Sequence, residues 1–211
     1  MAAQQSLVLL QNNGVLPLTP QQHSIAVVGP HALATHSLIQ ANTGRVCPTK
    51  NSTTEEVDFD CVETPYDAIK KYNSQSGNVS TFVSEGCTIA QPTNVSNVAA
   101  AVATAEGADV VILGLGIAEC GGYLGDPTYP LRNCGDTTEY AQFVEAESHD
   151  RPTLGLPPAQ LALAQAVIGL KKPTVVFFLN GGMVAPPSFM LQVTTLTLCV
   201  GDSKIDLCMQ T

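Results

Sequence analysis

The sequence predicts an α/β fold: a three-layer α/β/α sandwich around a mostly parallel sheet, truncated or irregular at the C-terminus. Three observations carry this expectation. Short, continuous apolar runs rich in β-branched residues recur along the 211 residues. Segments with the composition and length of helices separate them, and the alternation holds until residue 182. Strands that are apolar throughout are buried on both faces, and strands that alternate with helices wind into a parallel sheet.

The elements follow in order. Ser24-Ile25-Ala26-Val27-Val28 is a buried strand stopped by Gly29-Pro30. Thr64-Pro65 opens a helix through Lys71, with proline in the first turn, where its missing N–H costs nothing. Val79 to Val83 is a second strand. Asn94 to Ala105 is rich in Ala and Val and reads as a helix capped by Thr93 or Asn94. Asp109 to Leu113 is a third strand, leading into a turn at Gly114-Leu115-Gly116. Pro157-Pro158 starts a helix to about Leu170, with positions 161, 164, 165 and 168 read as its apolar face. Thr174 to Leu179 is the last strand, closed by Asn180-Gly181-Gly182. The strands at 25–28, 80–83, 109–113 and 174–179 are all expected to be buried.

Two regions break the rhythm. Cys120 to Gln142 is a polar, Gly- and Pro-rich insertion bracketed by Cys120 and Cys134, and a disulfide between these would staple it. No convincing helix follows the 174–179 strand. The chain therefore divides into a domain over 1–182 and an anomalous tail over 183–211.

Composition excludes several function classes. Lys plus Arg total 9 against 18 Asp plus Glu, a net charge of −9, with no basic cluster to meet a phosphate backbone. Charged residues are 13% and hydrophobic ones 45%, which argues against disorder. The uncharged stretch from Pro173 to Val200 is broken by Gly181-Gly182 and Pro186-Pro187, so no membrane span is expected there. Ser6 to Leu10 is too short an apolar core, without a basic flank, for a signal peptide. The seven cysteines form no C-x-x-C pair and no Cys/His ligand spacing, so neither a metal nor another cofactor is expected. Asn51, Asn78 and Asn94 each open a glycosylation triplet, and with the cysteines they favour an oxidising, secretory compartment.

Ligands of open parallel sheets bind beyond the carboxyl ends of the strands. Gly29-Pro30-His31, Gly114-Leu115-Gly116 and Asn180-Gly181-Gly182 fall there. The second lacks the third glycine of a dinucleotide fingerprint, and no helix follows it directly. His31 and His36 sit five apart in a loop and make no metal site. The densest ionisable cluster is Val144 to Arg151, with Glu145, Glu147, His149, Asp150 and Arg151. It is either a solvated acidic loop or a carboxylate poised as general acid/base, with Arg151 holding a partner such as Asp150.

Several blocks carry a family resemblance. Ser6 to Leu18 (SLVLLQNNGVLPL), then Ile25 to Pro30, Asn42-Thr43-Gly44, Thr64-Pro65, Gly86-Cys87 and Ala108 to Ile112 resemble the C-terminal α/β domain of glycoside hydrolase family 3. The segment from Glu145-Ala146-Glu147 through Asp150-Arg151 to Leu156-Pro157 and Gln160 resembles the β-xylosidase branch. The blocks span about residues 4 to 182. The resemblance implies part of a retaining, exo-acting glycosidase that cleaves β-linked oligosaccharides or glycosides with two carboxylates, in xylan and carbohydrate catabolism. It implies Glu147 as the acid/base, Glu145 as runner-up, and His149, Asp150 and Arg151 as substrate contacts. The nucleophilic Asp would lie on a (β/α)8 barrel that these 211 residues lack, so the chain alone is expected to be inactive, and its parent enzyme secreted. The long insertion after Gly116 departs from the pattern, and Met183 to Thr211 resembles none of it. The alternative is a non-catalytic carbohydrate-binding or interaction module, disfavoured by the absence of Trp and only 5% aromatic residues.

Overall fold

The computed structural model describes residues 7–19, 21–38, 47, 61–77, 79–89, 91–117 and 151–199. Six strands form one sheet: β1 (Leu7–Gln11), β2 (Ser24–Val28), β3 (Ser80–Ser84), β4 (Val110–Gly116), β5 (Thr174–Asn180) and β6 (Thr194–Cys199). Their order is β1-β6-β5-β4-β2-β3, parallel throughout except for the antiparallel β1–β6 pair. The helices are α1 (Pro65–Ser76), α2 (Val98–Glu106) and α3 (Pro158–Gly169).

Alternate residues of the central strands β2 and β4 feed two apolar layers, as the pleat requires, and β5 adds to one of them. Ala26, Val28, Val111, Leu113, Val176 and Phe178 pack with Ala101 and Ala105 of α2 and with Leu163, Ala164 and Val167 of α3. Ile25, Val27 and Val110 face the other way, against Tyr66 and Ile69 of α1. The expected three layers are present. The side chain of Thr64 caps α1 by accepting the Asp67 N–H at 3.0 Å, and the helix runs five residues beyond the expected Lys71, to Ser76.

Several expectations are corrected. β3 is not buried: Phe82 keeps 45% of its surface, because β3 is an edge strand paired with β2 alone. α2 begins at Val98 rather than Asn94, since the Asn94 carboxamide oxygen accepts the Ser96 N–H at 2.9 Å and holds a turn instead. Gly114-Leu115-Gly116 is not a turn: it continues β4, paired with Phe177, Phe178 and Leu179 of β5. On α3 the buried stripe is Ala159, Gln160, Leu163, Ala164 and Val167, rotated from Leu161 and Ile168, which are only partly covered.

The sheet also extends beyond the expected boundary at residue 182. After β5 the chain passes through a short 3-10 helix at Ser188–Gln192 and returns as β6, hydrogen bonded from Thr194 opposite Val175 to Cys199 opposite Asn180. Residues 183–199 thus belong to the same layered unit, and β6 seats β1 at the sheet edge. Residues 200–211 lie outside the described residues.

Cys47 and Cys61 form a disulfide with a sequence separation of 14. The Cys120–Cys134 pairing lies outside the described residues, and Cys87 is a free, buried thiol. Closing a loop of this length restricts the unfolded chain, so Cys47→Ala with Cys61→Ala is expected to lower stability by about 3 kcal/mol. Equilibrium urea unfolding of the two forms checks this, and an unchanged midpoint would contradict it.

Candidate functional site

The winding of the sheet fixes where a crevice opens. From β2 the chain moves outward to β3, then crosses back to β4 on the other side of β2 and proceeds to β5 and β6. The carboxyl ends of β2 and β4 therefore flank the point where the winding reverses, the place where open α/β sheets bind ligands.

Three glycines let the strand ends come together. Gly29 has φ +107°, and a Cβ on it would stand 2.2 Å from the Gly114 carbonyl oxygen. A Cβ on Gly114 would meet the Phe177 ring at 2.4 Å, and one on Gly116 the Leu179 carbonyl oxygen at 2.0 Å. Only hydrogen fits at these contacts. Beyond Gly29 the chain turns sharply: the His31 N–H reaches the Gly114 oxygen at 3.4 Å, and the Ala32 carbonyl accepts the Tyr66 N–H at 3.0 Å, docking the start of α1.

His31 is fully buried in this turn, and neither ring nitrogen has a hydrogen-bond partner among the described residues. Burial lowers its pKa to about 4, against a smaller opposing effect of the nearby Gly116 main chain. The imidazole is therefore neutral. Burial also raises the pKa of Glu85, just past β3, and pushes the Cys87 thiol up to about 12, with the Glu85 charge adding to it.

Gln160, in the first turn of α3, locks the end of β4. Its carboxamide donates to the Gly116 oxygen at 2.8 Å and accepts the Gly116 N–H at 2.9 Å, the pattern of a neighbouring strand supplied by a side chain. Ile117 donates to the Leu179 oxygen at 3.0 Å, and the described chain then pauses until Arg151. Arg151 donates to the main-chain oxygens of Gly155, at 3.4 Å, and Met183. Ala185 donates to the Leu154 oxygen at 2.8 Å. Both roots of the 118–150 segment are thus fastened to the carboxyl edge, one by β4 and Gln160, the other by the loop after β5.

Of the residues singled out from the sequence, Arg151 is seen at this edge. Glu145, Glu147, His149 and Asp150 lie outside the described residues, as do Asn51 and Asn78, whereas Asn94 is exposed in the turn before α2. His36 lies in a 3-10 turn just past His31. Among the described residues no group of three or more His, Cys, Asp or Glu side chains could hold a metal, and no helix is long and apolar enough to cross a membrane. Sequence reasoning passed over Glu85 and the pairing role of Gln160. The signal for Gln160 was a polar residue in the first turn of a helix whose one other polar side chain is Gln165.

Comparison with known proteins supplies the remaining findings. The sequence model of the glycosyl hydrolase family 3 C-terminal domain matches residues 7–196. A probable exo-1,4-beta-xylosidase xlnD of Aspergillus niger is 30% identical over 191 residues, covering 87% of this chain and 18% of its own length. Beta-D-xylosidase 1 of Arabidopsis thaliana is 26% identical over 186 residues, covering 87% and 19%. The chain spans about a fifth of the length of these relatives. Among solved structures, a GH3 exo-beta-xylosidase (XlnD) bound to a xylobiose aziridine probe superposes with a TM-score of 0.63 at 21% identity, over 95% of this chain and 21% of that one. A beta-glucosidase of saponin metabolism from intestinal bacteria gives 0.65 at 18% identity, over 92% and 28%. These similarities establish a shared fold.

Two outcomes follow from the geometry. Gln160→Leu strips the Gly116 N–H and carbonyl of their partners, and each unpaired buried group costs about 1–3 kcal/mol, so a loss of about 2–6 kcal/mol is expected in urea unfolding. For His31, the folded value lies below the unfolded 6.5. The unfolded chain therefore takes up a proton that the folded one refuses, and stability present above pH 6.5 is lost as pH falls towards about 4, by about 3 kcal/mol. His31→Leu should lack that part of the acid loss. Parallel stability–pH curves for the two proteins would refute it.

Proposed function

Because the chain belongs to glycosyl hydrolase family 3, as its C-terminal domain, we propose that it supplies the acid/base side of a retaining, exo-acting glycosidase site. The substrates are β-linked glycosides of the xyloside type, and the setting is xylan and carbohydrate breakdown. The observation that carries this reading is the alignment of xylosidases from Aspergillus and Arabidopsis along 87% of the chain.

Glu147 is the proposed acid/base, with Glu145 as its alternate. His149, Asp150 and Arg151 are the proposed sugar contacts, and the Arg151 guanidinium also donates to the main chain of Gly155 and Met183. Glu147 would protonate the departing glycosidic oxygen and then deprotonate the attacking water. In a retaining mechanism the partner carboxylate stands about 5 Å away as nucleophile. That nucleophile would come from a (β/α)8 barrel of the same enzyme, since the chain spans only about a fifth of its relatives. The Cys47–Cys61 disulfide supports an oxidising compartment, and the parent enzyme is proposed to be extracellular.

The isolated chain is expected to show no turnover of aryl β-xylosides or β-glucosides. Turnover that survives combined Glu145→Gln and Glu147→Gln would overturn the assignment. With the domain joined to a family barrel, Glu147→Ala should slow hydrolysis of xylobiose, a substrate with a poor leaving group, by roughly 10²-fold or more. Activated aryl xylosides should be far less affected, because they leave without a proton. Equal losses would place the acid elsewhere.

A further inference from the structure

Three glycosylation triplets occur in the sequence, and one of them, Asn94-Val95-Ser96, lies wholly within described and exposed residues. Asn94 occupies a turn whose geometry is fully specified. Its main-chain N–H donates to the Gln91 oxygen at 3.1 Å, and the Val98 N–H closes the next turn on the Val95 oxygen at 3.1 Å. The Asn94 carboxamide oxygen accepts the Ser96 N–H at 2.9 Å, while its nitrogen donates to the Gln91 side-chain oxygen at 2.7 Å.

We propose that Asn94 is a site of N-linked glycosylation, taking an oligosaccharide from a lipid-linked diphosphate donor. Three features support it. The carboxamide is at the surface, so no packed group must move to admit a sugar. The bond from its oxygen runs to the Ser96 main-chain N–H, so the Ser96 hydroxyl is not what holds the turn. The modification also preserves the turn. In the transfer, the bond between sugar C1 and the diphosphate oxygen breaks, the diphosphate leaves with the electron pair, and C1 bonds to Nδ2 as one amide proton departs to the transferase. The remaining N–H can still serve Gln91, and the oxygen is untouched.

The glycan would stand at the carboxyl edge of the sheet. Pro92, two residues earlier, accepts the Ala159 N–H at 2.7 Å, tying this turn to the first turn of α3. There it would also shade Val95, which is 51% exposed. The inference rests on the secretory route proposed above and not on glycosidase activity.

The test is expression of the full chain behind a cleavable secretory leader in yeast. Chain is recovered from both medium and lumen, and peptides are analysed by mass spectrometry after enzymatic deglycosylation in heavy-oxygen water. The label should appear at position 94 in most molecules. It should vanish in Ser96→Ala, which removes the hydroxyl but keeps the main-chain N–H of the turn and hence the melting temperature, and persist in Ser96→Thr. A recovered chain that is unlabelled at Asn94, whatever Asn51 and Asn78 carry, overturns the proposal. Because the added leader delivers the chain, that result would count against the site and leave the natural route to be judged separately.

Discussion

The structure depends on the close approach of three strand ends, those of β2, β4 and β5. Gly29, Gly114 and Gly116 each place a hydrogen where a methyl group would overlap a carbonyl oxygen or the Phe177 ring. Such contacts bring polar main chain into a region from which water is excluded, and every donor and acceptor there must be answered from within the protein. Gln160 answers for Gly116 on both counts. The same side chain couples α3 to β4, so the helix layer and the sheet cannot shift independently at this edge.

That coupling explains why the carboxyl edge can serve as a rigid base. Ile117 and Arg151, the described residues on either side of 118–150, are held by hydrogen bonds to the main chain of β5, of the loop beyond it and of Gly155. A proton-transferring carboxylate is useful only if its distance from the bond being broken is fixed. The described residues that flank the proposed acid/base are fastened on both sides, and this is the mechanical content of the function proposed here.

The electrostatics of the edge follow from the same dryness. His31 is held neutral, the Glu85 carboxyl is pushed towards its protonated form, and the Cys87 thiol is kept from ionising. Desolvation is the leading cause in each case. His31 and Cys87 are thus uncharged inside the edge, whereas Glu85 is exposed and its charge adds to the shift of Cys87.

The strands and helices of the central alternation were legible in the sequence because each carries its own signal. Val110 to Leu113 is apolar without interruption, Thr64 offers a cap, and Pro158 starts a helix where its missing N–H does no harm. What the sequence left unread depends on neighbours distant along the chain. Asn94 and Asn97 compete for the start of α2, and side-chain bonds within the turn decide it. Gly114-Leu115-Gly116 has the composition of a turn, yet β5 alongside supplies the ladder that keeps it extended. β1 and β6 lie at opposite ends of the described chain and become strands through each other and β5, a pairing that no local window contains. The sequence by itself determined the layered α/β class, through local composition and alternation, and the family, through the order of its motifs. Only the tertiary structure decided which strand lies at the edge, which cysteines meet and what Gln160 is for, because each is settled by contacts between residues far apart in the chain.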